Sequence, residues 1–323
     1  MGVIGMKMSK LAIIGLGHVG SAVLAQAMAM NLASEIVCID INEKVAHGEA
    51  LDATHATPCT YVPGMKVYSG DFSQCKDADI IICSAGPSIL PGEKLDRLIL
   101  AERNVKVISE IMTEVTKYTK NTPFIMITNP LDVTTYLAAT KFGYEKGKLF
   151  GTGTTLETLR LKRIVANHYN VDAKDVQGFM LGEHGNSAFP AWSTISIGSV
   201  RLADLDKYYD HNCEFDKKAI AQEVVNTAYD VLLSKGWTNT GIAMGACRLA
   251  RAVIFNERCV TPVSTPLDGE YGLTDVALSL PSIVGANGVE KRLAIDLPED
   301  ELKALQFSAE SIKTVLRANK LID

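Results

Sequence analysis

The stretch Leu11 to Gly20, LAIIGLGHVG, decides how this chain folds. Leu11 to Ile14 read as a buried strand, and Gly15, Gly17 and Gly20 then mark a tight turn into a segment of helical period from Val19 to Met30. With His18 and Val19 completing the turn, such a loop offers backbone amides and the positive end of a helix to a pyrophosphate. Asp40 closes the next predicted strand, Glu35 to Asp40. A carboxylate there accepts hydrogen bonds from ribose hydroxyls and repels a 2′-phosphate, which selects NAD over NADP. A ligand-free glycine turn is the competing explanation, and it leaves Asp40 unaccounted for.

Outward from this loop, short apolar runs alternate with longer helical segments, the pattern of an α/β, doubly wound parallel sheet. Further strands are predicted at Met65 to Tyr68, Ile80 to Ser84 and Phe124 to Thr128, with a helix from Arg97 to about Tyr118. Past Gly151 the pattern loosens. Helices are predicted near Leu156 to Tyr169, Phe215 to Leu233 and Gly241 to Asn256, with strands near Val176 to Leu181, Ser193 to Ile197, Cys259 to Thr265 and Asp275 to Val284. A last helix carries Leu302, Leu305, Ile312, Val315 and Leu316. We therefore divide the chain into a dinucleotide-binding domain, 9–151, and an α+β substrate and catalytic domain, 152–323.

The 323 residues are 47% apolar and 21% charged, which is globular rather than disordered composition. A formal charge of −5 argues against a nucleic-acid surface or a polybasic membrane face. No apolar run approaches the length of a membrane span, and the opening MGVIGMKMSK is too short in apolar residues for a signal peptide, so a cytoplasmic protein is expected. Seven scattered cysteines lack metal-ligand spacing and read as buried thiols of a reducing compartment, with no metal site expected.

The chemistry concentrates in the second half. His184 stands in GEHGNS, Gly182 to Ser187, where small neighbours permit close approach of a ligand. The other histidines, His18, His47, His55, His168 and His211, read as loop, surface or packing residues. Glu157 and Arg160 are three apart on one predicted helix and so face one side. The Arg160 guanidinium can grip a carboxylate with two parallel charge-assisted hydrogen bonds, each worth roughly 1.5–3 kcal/mol. Glu157 has a second explanation, because Thr154-x-x-Glu157 fits a capping box. Ala85 and Gly86 end the predicted fourth strand, where a glycine lets a cofactor approach the backbone. Asn129, ending the fifth, can bond a carboxamide or a reacting carbonyl, or serve as a turn residue.

In this order and spacing, GLGHVG, TNPLD, GTGTTLETLR and GEHGNS resemble the L-lactate/malate dehydrogenase family over nearly the whole chain. The resemblance is nearest the lactate branch, and within it the L-2-hydroxyisocaproate dehydrogenases, which also carry Asn at the Asn186 position. It implies a Rossmann domain, NAD, a small 2-oxo or 2-hydroxy acid substrate and a homo-oligomer. It implies that His184 exchanges the proton, Arg160 clamps the substrate carboxylate and Asn129 touches the reacting oxygen. Thr152 would lie by the nicotinamide, Arg97 would polarise the carbonyl from a mobile loop, and Thr238 and Ile242 would form the pocket wall and the apolar contact behind the ring.

Two departures from the family stand out. Glu157 occupies the place of the aspartate that partners the histidine. Ile89 falls where malate enzymes have arginine and lactate enzymes glutamine, and the stretch Glu93 to Arg97 is two residues longer than in typical bacterial lactate enzymes. An apolar Ile89 leaves a second carboxylate unpaired and suits a greasy tail, although it can equally be a lid residue packing on protein. Fructose-bisphosphate-activated relatives bind the effector with an arginine and a histidine, which here correspond to Lys162 and Gln177, so no activation is expected. The expected activity is reversible reduction of apolar 2-oxo acids; an L-lactate dehydrogenase with a relaxed pocket, a malate dehydrogenase and a non-catalytic NAD-binding protein on the same fold are the alternatives.

Overall fold

The computed structural model describes residues 9–87, 97–211 and 213–323, with Arg97 described in its backbone only. Ile89 and the lengthened stretch from Glu93 lie outside the described residues, as does the Arg97 side chain.

Six strands, β1 (Lys10–Ile14), β2 (Glu35–Ile39), β3 (Lys66–Ser69), β4 (Ile80–Cys83), β5 (Phe124–Met126) and β6 (Leu149–Gly151), pair in parallel in the spatial order β3-β2-β1-β4-β5-β6. Strands buried on both faces read as continuous apolar runs, and β4, IIIC, is fully enclosed. The crossovers are α1 (His18–Ala29), α2 (Glu43–Ala56), α3 (Arg97–Val115) and α4 (Leu131–Lys141). The strand order reverses between β1 and β4, the point at which sheets of this kind bind ligands beyond the strands' carboxyl ends.

The second half begins with α5 (Thr155–His168) and four short strand pieces, β7 (Val176–Gln177), β8 (Met180–Leu181), β9 (Phe189–Pro190) and β10 (Ser196–Ile197), then β11 (Val200–Arg201). Helices α6 (Lys217–Lys235) and α7 (Thr240–Ile254) precede the long hairpin β12 (Cys259–Asp268) and β13 (Thr274–Gly285), then β14 (Gly288–Arg292) and α8 (Glu299–Ala318). The expected strand from Val176 to Leu181 is divided at Gly178, whose φ of +135° breaks the extended run. The expected strand at Ser193 to Ile197 begins instead as a 3₁₀ turn, Trp192–Thr194.

The second half does not sit behind the first sheet; it extends it. Ser264 of β12 pairs antiparallel with Gly151 of β6, so nine strands form one sheet, β14-β13-β12-β6-β5-β4-β1-β2-β3. The apolar face of α8, with Leu305, Ile312, Val315 and Leu316 buried, packs into the same core as β5 and α4. A separate cluster around Leu161, Tyr169, Ile195 and Leu205 secures the outer part of the second half. Four cysteines are buried and all seven are free, but Cys59 and Cys213 are exposed, so the expectation of uniformly buried thiols is corrected. Among the described residues no helix is long and apolar enough to cross a membrane.

Candidate active site

The glycine loop links β1 to α1 where the strand order reverses. Gly15 has a φ of +90°, and a Cβ there would meet Ala85 Cα at 2.6 Å; at Gly20 a Cβ would strike the Gly15 carbonyl oxygen at 1.7 Å. These two positions must stay bare for α1 to seat against the turn. Gly17, the N-cap of α1, faces open space, and neither a capping side chain nor a first-turn acid competes for the helix's free amides. Asp40 stands just past β2 and accepts the Leu16 amide at 2.7 Å and the Asn42 amide at 2.8 Å. These bonds fix the carboxylate beside the loop.

Along the strand ends, Ser84 Oγ donates to the Gly15 carbonyl at 3.0 Å and Thr128 Oγ1 to the Ala85 carbonyl at 2.7 Å. Asn104, on α3, donates to the main-chain carbonyls of Asn129 (2.7 Å) and Pro87 (3.1 Å). Its Oδ1, 2.3 Å from where a Gly86 Cβ would lie, is buried without a hydrogen-bond partner among the described residues, as is the Thr152 Oγ1. The Asn129 side chain is exposed. A bare glycine cradle, a free helix start and unsatisfied polar atoms at the strand ends together fit a dinucleotide.

The candidate reacting groups His184, Glu157 and Arg160 come together around α5. His184 Nδ1 lies 2.6 Å from Glu157 Oε1, with the side chains 19% and 9% exposed. The approach is off the N–H direction, an ion pair rather than a straight hydrogen bond, and Glu157 Oε2 has no hydrogen-bond partner among the described residues. The capping-box explanation for Glu157 fails: Thr154 Oγ1 donates to the Met180 carbonyl at 2.6 Å, and its amide is taken by Ser279 Oγ at 3.0 Å.

Electrostatics bind the trio. Burial pulls the His184 imidazole down, but the Glu157 carboxylate, aided by Asp132, outweighs it and holds the pKa above the ordinary histidine value. Burial likewise pushes Glu157 up, and His184 with Arg160 brings it net below the usual carboxylate range. Arg160 is half-buried; burial draws its pKa down and Glu157 opposes this. Among the described residues its guanidinium has no ion-pair or hydrogen-bond partner within contact distance, so its fork is left for an incoming anion.

Sequence reading missed the supports of this trio. The His184 amide donates to Asp132 Oδ2 at 2.7 Å, and Ser264 Oγ donates to Oδ1 of the same carboxylate at 2.6 Å. Asp132 is 1% exposed, at the start of α4 where a helix favours negative charge. Glu183, fully buried, accepts from Ser187 and Ser311, while its amide donates to Ser308 Oγ at 2.8 Å. The serines of α8 thus pin GEHGNS from beneath. Asn186 Oδ1 accepts from the Tyr229 hydroxyl of α6 at 3.2 Å. Asp132 lies inside TNPLD, and two serines three apart on one face of α8 were the available signal for the rest.

Thr238 is half-buried in the turn between α6 and α7, and Ile242 is buried on α7 in the same core cluster as Leu16. Lys162 is half-buried, with burial lowering its pKa, and Gln177 is exposed.

Residues 9–151 match the family model of the lactate/malate dehydrogenase NAD-binding domain, and residues 154–320 that of the lactate/malate dehydrogenase alpha/beta C-terminal domain. L-lactate dehydrogenase 2 of Clostridium acetobutylicum is 46% identical over 309 residues, 96% of this chain and 97% of that protein. The L-lactate dehydrogenase of Selenomonas ruminantium is 48% identical over 307 residues, 95% of this chain and 96% of that protein. The crystal structure of the minor L-lactate dehydrogenase from Enterococcus mundtii superposes with a TM-score of 0.90 at 34% identity, covering 96% of this chain and 98% of that one. That of a lactate dehydrogenase from a Medee basin deep-sea metagenome library gives 0.92 at 30% identity, over 98% and 100% of the two chains. The chain belongs to the lactate/malate dehydrogenase family and is an NAD-dependent 2-hydroxyacid dehydrogenase.

Proposed function

We propose that this enzyme interconverts short 2-oxo monocarboxylic acids and L-2-hydroxy acids, with a preference for apolar side chains longer than a methyl group. The observation that carries the reaction is the Glu157–His184 contact of 2.6 Å on the helix that also presents Arg160. When bound, NADH supplies the hydride that reaches the carbonyl carbon. Arg160 grips the substrate carboxylate and fixes the ketone's orientation. His184, its Nδ1 held by Glu157, donates a proton from Nε2 to the carbonyl oxygen; in the reverse direction it takes that proton back. Glu157 balances the imidazolium in a site where water's screening is weak.

The remaining assignments follow the same reading. Gly15, Gly17, His18, Val19, Gly20, Asp40, Ala85, Gly86 and Thr152 hold the dinucleotide, with Ile242 behind the nicotinamide. Asn129 and Arg97 act on the reacting oxygen, and Ile89 and Thr238 bound the substrate's tail. The division at 151/152 separates the half that carries the glycine loop and Asp40 from the half that carries the proton donor and the carboxylate clamp, with Thr152 and Ile242 reaching the cofactor from the second half. We further infer a cytoplasmic homo-oligomer.

A second reading, an L-lactate dehydrogenase with a wide pocket, is favoured by the names of the relatives at 46% and 48% identity. Nicotinamide absorbance with pyruvate, oxaloacetate, phenylpyruvate and 4-methyl-2-oxopentanoate decides between them. A higher kcat/KM for 4-methyl-2-oxopentanoate than for pyruvate supports the apolar preference. The reverse order gives the lactate reading.

A further inference from the structure

Burial divides the seven free thiols. Cys38, Cys75 and Cys247 are buried, which pushes each pKa up to about 12, and Cys83 is pushed up to about 11. Cys259 is half-buried and raised in the same direction. Cys59 and Cys213 alone are exposed, and they differ in what stands beside them. The Cys59 thiol, on the 3₁₀ turn Thr57–Cys59, makes no hydrogen bond among the described residues.

Cys213 precedes α6, with its Sγ 3.8 Å from His168 Nδ1 at the end of α5 and its carbonyl 3.0 Å from His211 Nδ1. The His168 ring is held edge-on by Tyr169 and Phe215, with centroids 4.7 and 5.2 Å away, and stacks on His211 at 5.9 Å. Its Nε2 is buried without a hydrogen-bond partner among the described residues, which leaves Nδ1, on the thiol side, as the nitrogen that exchanges a proton. Burial and then His211 draw the His168 pKa below the ordinary histidine value, with Asp206 opposing. The ring is therefore neutral at neutral pH and able to accept a proton.

We propose that Cys213 and His168 form a thiol-modification site that takes a low-molecular-weight disulfide. As Cys213 Sγ attacks one sulfur of the disulfide, the thiol proton passes to His168 Nδ1. The S–S bond of the small molecule breaks, and a new one forms between the attacked sulfur and Cys213. The departing thiolate takes the proton from His168 and leaves as a thiol. Cys213 is oxidised and the leaving sulfur reduced, so no further reactant is needed.

The aromatic disulfide dithiobis-nitrobenzoate tests this on the folded full chain at neutral pH. Two thiols are expected to react, and the other five only on unfolding. Cys59→Ser and Cys213→Ser separate the two rates. Cys213 is expected to react about 10- to 100-fold faster than Cys59, no more than the low end of what a positioned base contributes, because the site is open to water. In His168→Gln that advantage is expected to vanish while the Cys59 rate holds, and a count of two reactive thiols shows that this variant is folded. Oxidised glutathione is expected to add its mass to the peptide that carries Cys213. Equal rates for Cys59 and Cys213 in the unaltered chain would overturn the site, whether or not His168→Gln folds. So would a folded His168→Gln protein whose Cys213 reacts as fast as before, or glutathione mass on Cys59 instead.

Discussion

The amide of His184 and the carboxylate of Asp132 are joined at 2.7 Å across the two halves of the chain, since Asp132 begins α4 and His184 lies in the loop after β8. The backbone of the proposed proton donor is therefore positioned by the half that matches the NAD-binding domain. Replacing Asp132 by Ala takes the acceptor from that part-buried amide and leaves the Ser264 hydroxyl buried without one, the latter at about 1–3 kcal/mol. Asp132→Ala is expected to lower the midpoint of thermal unfolding and to depress kcat in whatever protein remains folded. Unaltered kcat in the folded fraction would remove Asp132 from the positioning of His184.

His184→Ala is expected to lower turnover by about 10²- to 10⁴-fold, the usual contribution of a positioned general acid. NADH affinity should barely change, because the glycine loop and Asp40 are untouched. Stopped turnover together with lost NADH binding would point to a damaged fold instead.

Arg160→Lys keeps the charge but loses the planar fork. Losing a bidentate grip worth roughly 1.5–3 kcal/mol should raise KM for every 2-oxo acid by about 10- to 100-fold. A KM unchanged across the acids would show that the carboxylate docks elsewhere.

The pH profile follows from the sign of two shifts. The His184 pKa is raised, so the imidazole stays protonated past the ordinary histidine value, and kcat/KM for reduction should hold there and fall only at higher pH. In Glu157→Gln the raising carboxylate is gone and burial dominates, so the falling limb should move to lower pH. For stability, the His184 contribution is complete below its unfolded value and lost as pH rises through the folded one. That of Glu157, lowered on folding, is present above the unfolded carboxylate value and lost as pH falls through the folded one. The pair should therefore stabilise most between those limits. Identical limbs in the two proteins would show that the observed ionisation is not that of His184.

Fructose bisphosphate should leave the substrate saturation curve where it is. Lys162 offers a single half-buried ammonium, and Gln177 no charge, where an effector phosphate would need several donors. A clear leftward shift of the curve on adding the sugar phosphate would refute this.

What the sequence disclosed depended on how local the physics was. GLGHVG was readable because Gly20 is demanded by the Gly15 carbonyl one turn away and Gly15 by its own φ of +90°, and Arg160 with Glu157 because helical spacing alone puts them on one side. Helix α4 left no such trace: it is buried from Leu131 to Ala138 on every face, so LDVTTYLAATK has no amphipathic period. Strand β6 is only three residues long, too short for any pattern. The functions of Asp132 and Ser308 exist only once α4 and α8 have packed around GEHGNS, and the settling of Glu157 against its capping alternative required knowing where Thr154 and Ser279 meet.

The seam at Gly151 and Ser264 has a bearing on how the molecule can be taken apart. A fragment ending at residue 151 would carry β6 as a bare edge, with unpaired amides and carbonyls open to any strand that comes along. Such a fragment is expected to self-associate rather than persist as a free nucleotide binder, and the intact polypeptide to melt in one cooperative event, its halves being stitched through a shared ladder.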